Sequence, residues 1–166
     1  MSIVPIVRAG HPVLREKARR VRTIDKSIHE LIETMWETMY DAPGVGLAAP
    51  QIGVSLRVIV IEVPDHDKIA LINPEIVKRS GEREVDEGCL SVPGFRGEIM
   101  RSVKVLAKGI DPRTGKEIRV KAEDDLMAEA LEHEIDHLNG ILYIDYLASP
   151  DALQPMNDAA ELSGRR

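Results

Sequence analysis

Leu126-Met127-Ala128-Glu129-Ala130-Leu131-Glu132-His133-Glu134-Ile135-Asp136-His137-Leu138-Asn139-Gly140 is the stretch on which the fold turns. Strong helix formers fill it, and apolar residues recur at helical spacing. The pattern predicts a helix over 126–139, with Asp124 as its N-cap and Gly140 as its C′ stop. Residues four apart lie one above the other on a helix, so His133 and His137 point the same way and can grip one ion. Glu134 is rotated by about 100° from His133, which sets its carboxylate beside such an ion rather than on it.

Working outward, Ile28, Leu31, Ile32, Met35, Trp36, Met39 and Tyr40 mark an amphipathic helix capped by Asp25 or Ser27. It ends in the breaker-rich run Asp41-Ala42-Pro43-Gly44-Val45-Gly46. Arg57 to Val63 and Ile69 to Ile72 read as strands. Val103 to Leu106 and Ile118 to Lys121 read as a hairpin across Asp111-Pro112-Arg113-Thr114-Gly115. The expected class is α+β in a single domain, with short antiparallel strands packed around a central metal-binding helix. Residues 1–148 are expected to form the domain and 149–166 a C-terminal tail.

Composition narrows the function. A chain of 166 residues fits one domain, and 43% hydrophobic with 30% charged residues is ordinary for a globular protein. A net charge of −6 argues against general affinity for DNA, RNA or an anionic membrane. The single cysteine excludes an intramolecular disulfide and any CxxC site. No run approaches a membrane span, and the short, proline-broken Ile3-Val4-Pro5-Ile6-Val7 does not read as a secretory signal, so a cytoplasmic location is expected. Arg15, Lys17, Arg19, Arg20 and Arg22 read as a solvated face diluted by Glu16, or alternatively as a local RNA contact.

Two histidines need a third protein ligand. A metzincin would place a histidine at position 143, which is Tyr143, and Glu161 lies in a weakly patterned tail. Cys89 remains: its thiolate suits a borderline metal, and Glu87-Gly88-Cys89-Leu90-Ser91-Val92-Pro93-Gly94 reads as a bend bounded by glycines, not as a core strand. Gly44-Val45-Gly46-Leu47-Ala48-Ala49-Pro50-Gln51 permits close approach of a ligand to the backbone but lacks phosphate-loop spacing.

Together and in this order, the three motifs resemble the signatures of the peptide deformylases. Gly10-His11-Pro12-Val13-Leu14-Arg15, Leu71-Ile72-Asn73-Pro74 and Ile141 to Tyr146 resemble family sequences too. The resemblance implies a metal-dependent hydrolase that removes the formyl group from formylmethionine of nascent polypeptides and releases formate. It implies Cys89, His133 and His137 as metal ligands and Glu134 as general acid/base. Gln51 and the backbone N–H of Leu90 match oxyanion-stabilising donors, Gly46 a substrate-backbone contact and Arg96 an arginine lining the peptide groove. The implied ion is Fe(II), with zinc, nickel or cobalt able to replace it. Leu126, Met127 and Ala130, one to two turns before His133, are candidates to line the methionine pocket.

Glu132 stands where a glutamine is common in the family, and its carboxylate is expected either to alter the surroundings of the ligands or to sit in water. The segment 147–164 contains no Lys or Arg, so the basic C-terminal helix that docks some family members on the ribosome is not expected, and any ribosome contact is transient. Two other classes compete. An HExxH metallopeptidase would use Glu134 to cut internal peptide bonds, and a structural zinc module would need a fourth ligand such as Asp136.

Overall fold

The structure, a computed structural model, describes residues 2–156. Helix α1 spans Lys26–Asp41 and is capped by Asp25, whose carboxylate accepts from the Ile28 N–H and from Ser27 Oγ. The strands are β1 (Gly46–Ala48), β2 (Val58–Ile61), β3 (Ile69–Ser80), β4 (Arg83–Cys89), β5 (Val92–Arg101), β6 (Lys104–Ile110), β7 (Glu117–Glu123) and β8 (Gln154–Pro155). Helix α2 spans Leu126–Leu138.

Among the described residues the strands form two antiparallel sheets, ordered β1-β2-β3-β6-β7 and β4-β5-β8. The α+β class is as expected. Val58-Ile59-Val60-Ile61 is buried along its whole length because both faces of the larger sheet are covered there. Val58 and Val60 belong to a core with Ile28, Ile32, Met35 and Met39 of α1. Ile59 and Ile61 belong to another, with Met127, Leu131, Ile135 and Leu138 of α2. A third core under the smaller sheet joins Val85, Cys89, Val92, Ile99 and Tyr143.

Three local expectations are corrected. The N-cap of α2 is Asp125, which accepts from the Ala128 N–H at 2.9 Å; Asp124 sits one residue earlier at φ 51°, turning the chain into the cap. Strand β3 runs through Asn73-Pro74 because a bulge absorbs the missing proline N–H, with Asn73 at φ 52° and its amide bonded to both backbone groups of Val21. Glu87-Gly88-Cys89 is the end of a paired strand, and only Leu90 and Ser91 make the turn to β5. The tail opens with a 3-10 turn at Pro150–Ala152, after which Gln154 and Pro155 pair with Arg96 and Phe95 of β5. Residues 157–166, including Glu161 and the later part of the segment read as lacking a ribosome-docking helix, lie outside the described residues.

The α2 C-terminus is anchored by its own neighbours. The Leu138 carbonyl accepts from Ala18 N–H (2.8 Å) and Arg57 Nη1 (2.9 Å), satisfying an acceptor that the helix leaves open. Gly140 follows at φ 74°, as expected for a C′ stop, and a Cβ there would lie 2.7 Å from the Arg15 carbonyl oxygen. These contacts fix the turn that carries His137.

Candidate metal centre and its surroundings

Every residue of α2 from Met127 to Leu138 is buried, including Glu129, Glu132, His133, Glu134, Asp136 and His137. Burying that many polar groups costs stability unless they are satisfied, so a buried polar stripe points to function. Its partners come from the smaller sheet. On β4, Val85, Glu87 and Cys89 alternate onto the inner face, which brings Cys89 Sγ to 3.4 Å from His137 Nε2. His137 Nε2 is also 3.2 Å from His133 Nε2.

Cys89, His133 and His137 thus present donor atoms within 4.8 Å of one another, all buried, and they are the one such group among the described residues. A tetrahedral ion with bonds of about 2.0–2.3 Å spaces its donors about 3.3–3.6 Å apart, close to the two separations seen. Burial holds the His137 imidazole well below its ordinary pKa and therefore neutral. Neutral imidazole is the form that ligates. The residues fit a single divalent ion.

Glu87, which stands in the Cys89 motif with no role evident from its sequence, orients the site. Its carboxylate meets His133 Nδ1, which fixes that nitrogen as the protonated one and leaves Nε2 to face the cluster. It also accepts from Arg101 Nε (2.9 Å) and Nη2 (2.6 Å), and Arg101 Nη1 reaches Asp136 at 2.8 Å. Burial pushes the Glu87 carboxyl up, but His133 and Arg101 overcome it and hold the group ionised. The available signal was period-two spacing, since a residue two before a strand ligand shares its face. Glu87→Gln is expected to weaken metal affinity about 10–100-fold, read by competition with a chelator. Unchanged affinity would mean that Glu87 serves the Arg101 pair alone.

The remaining expected residues fall in different places. Glu134 is fully buried beside Gly46, where a Cβ would lie 2.5 Å from Glu134 Oε2, so this strand position must be a glycine for the carboxylate to sit there. Gln51 is also fully buried; its Nε2 lies 3.6 Å from Cys89 Sγ and its Oε1 accepts from the Ala48 N–H at 3.0 Å. Leu90 directly follows Cys89 in the turn. Arg96 pairs in register with Gly88, so strand alternation places it on the face opposite Cys89, with Nε 3.3 Å from Asp86 Oδ2. Met127 and Ala130 lie inside the main core and Leu126 packs at its margin. Tyr143, where a metzincin would carry its third histidine, stacks its ring on His133 instead.

Glu132 does not sit in water. It accepts from the Ser102 N–H (2.7 Å) and Oγ (2.9 Å) and pairs with Arg79 at 3.2 Å. Asp136 is held by Arg101 and by the Tyr146 hydroxyl (2.9 Å), away from the ligand group, so the fourth ligand of a structural zinc site is missing there.

The polypeptide deformylase family model matches residues 3–152. A peptide deformylase of Dehalococcoides mccartyi (strain CBDB1) is 52% identical over 163 residues, which covers 98% of this chain and 96% of the relative. That of Halothermothrix orenii is 53% identical over 146 residues, covering 87% and 94%. The crystal structure of a peptide deformylase from Legionella pneumophila superposes with a TM-score of 0.86 at 48% identity, covering 91% of this chain and 89% of that one. One from Synechococcus elongatus, in complex with actinonin, gives a TM-score of 0.85 at 37% identity over 90% and 81%. These matches run through all three motifs that meet at the buried cluster, and they place the chain in the polypeptide deformylase family.

Proposed function

We propose that the chain hydrolyses the N-formyl group from formylmethionine at the start of nascent polypeptides, leaving formate and a free methionine amine. The observation that carries this reading is the convergence of Cys89 with His133 and His137 in one buried donor set. An HExxH metallopeptidase is not favoured, because the family model and the relatives are deformylases. Cys89, His133 and His137 would hold the ion. We take it to be Fe(II), as the resemblance implies, and the same thiolate–imidazole set accepts zinc, nickel or cobalt. When bound, the ion supplies Lewis acidity, bringing the pKa of a water toward about 7 and drawing charge from a carbonyl oxygen.

Glu134 takes a proton from the attacking water as its oxygen bonds to the formyl carbon, and gives that proton to the amide nitrogen as the C–N bond breaks. Burial against Gly46 aims the carboxylate at one place. Gln51 Nε2 and the Leu90 N–H donate to the formyl oxygen as negative charge gathers on it. β1 is the edge strand of its sheet, so Gly46 can offer backbone groups to an extended peptide. Ala130, small and one turn before His133 and Glu134, is assigned to the methionine pocket with Leu126 and Met127, and Arg96 to the outer groove.

Residues 1–148 are taken as the catalytic unit and 149–166 as the tail, working in the cytoplasm with at most transient ribosome contact. Among the described residues no helix is long and apolar enough to cross a membrane. The deciding experiment is formate release from formyl-Met-Ala-Ser by anaerobically prepared Fe(II) protein. Rapid release, with the unformylated peptide left intact, is expected. Cleavage of internal bonds in Met-Ala-Ser peptides without formate release would overturn the reading.

A further inference from the structure

We propose that Ser91 is the positioning residue for Gln51, fixing which way the buried amide faces; the proposal rests on the reading of Gln51 as an oxyanion donor. Ser91 occupies the turn directly after Cys89 and Leu90 and is 1% exposed. Its Oγ accepts from Gln51 Nε2 at 3.1 Å. An amide NH2 carries two hydrogens. With one given to Ser91, the other is directed toward the Cys89 side, where Nε2 lies 3.6 Å from Sγ.

At the other end of the amide, Oε1 is held by the Ala48 N–H at 3.0 Å. The two bonds together admit one orientation of a group that otherwise turns easily, since the terminal torsion of glutamine is broad. Gln51 and Ser91 are both located by one segment. The Val7 N–H donates to the Gln51 carbonyl (2.7 Å) and the Ala9 N–H to the Ser91 carbonyl (2.8 Å), so residues 7–9 tie the 3-10 turn of Gln51 to the β4–β5 turn. Ser91 also gives its own N–H to Cys89 Sγ at 3.4 Å, but that bond is backbone and survives side-chain substitution. The hydroxyl therefore acts on Gln51 and the main chain on Cys89, which makes the two roles separable.

The test compares Ser91→Ala, Ser91→Thr, Gln51→Ala and the double variant in Co(II)-loaded protein, with steady-state kinetics on formyl-Met-Ala-Ser and the cobalt–thiolate absorption band. Oxyanion donation strengthens in the transition state, so Ser91→Ala should lower kcat about tenfold with KM nearly unchanged. The cobalt–thiolate band should stay as in the parent, and Ser91→Thr, which keeps the hydroxyl, should recover most of the loss. Ser91→Ala should cost nothing further in the Gln51→Ala background. Parent-like kcat in Ser91→Ala overturns the proposal, as does a band that falls in proportion to activity, which would assign Ser91 to the metal ligand. Full activity in Gln51→Ala would remove the oxyanion reading itself, and so is told apart from a failure confined to Ser91.

Discussion

Glu134→Gln is expected to keep its metal and lose about 10²–10⁴-fold in kcat, the range for removing a positioned general acid/base. The amide has the shape of the carboxylate and fits the same space against Gly46, where there is no Cβ to crowd it. It cannot take up a proton from water at neutral pH. Cys89, His133 and His137 are untouched by the change, and Glu134 is not in their donor group. KM should move little, because the lost interaction develops in the transition state. Metal content and formate release, measured on the same preparation, decide the matter. Metal loss in proportion to activity loss would make Glu134 a ligand and leave the proton transfer without an assigned residue.

What the sequence made legible follows from the range of the forces involved. Both helices were visible because their periodicity is local, and α2 also carried the His-x-x-x-His spacing, although its cap was expected one residue early, at Asp124. The larger sheet was partly visible through Val58 to Ile61, whose β-branched run answers to burial on both faces. The smaller sheet was hidden. Glu87 places a charge at an inward position of β4, which masks the apolar alternation, and its compensation comes from His133 and Arg101, 46 and 14 residues away. Asn73-Pro74 looked like a break for the same reason, since the partner that lets β3 continue is Val21, 52 residues distant.

The donor group of Cys89, His133 and His137 was legible in the sequence, but its supports were not. Cys89 could be reached by elimination, since the chain has no other cysteine and position 143 is a tyrosine. Glu87 and Ser91 stand in the Cys89 motif and Arg101 in none, but their roles were not legible because each acts through a residue from another element. Glu132 shows the limit of reading a single position. A carboxylate in place of an amide was expected either to alter the surroundings of the ligands or to sit in water, and Ser102 and Arg79 draw it inside.

Cys89→Ser is expected to weaken metal binding by more than about 100-fold, beyond what loss of an outer partner costs. A serine hydroxyl is a harder donor than a thiolate and stays protonated at neutral pH, so it ligates a borderline ion poorly. The substitution also shortens the bond from Cβ and draws the donor away from His137 Nε2, which lies 3.4 Å from Sγ in the parent. The Gln51 Nε2 and Ser91 N–H groups that approach the sulfur would be left facing a smaller, neutral acceptor. Turnover should fall with metal occupancy and return in part when excess metal is supplied, because Glu134 and Gln51 are still in place. Competition with a chelator reads the affinity directly. If Cys89→Ser holds metal as tightly as the parent, the third ligand is elsewhere in the chain, and Glu161, outside the described residues, is the next position to substitute.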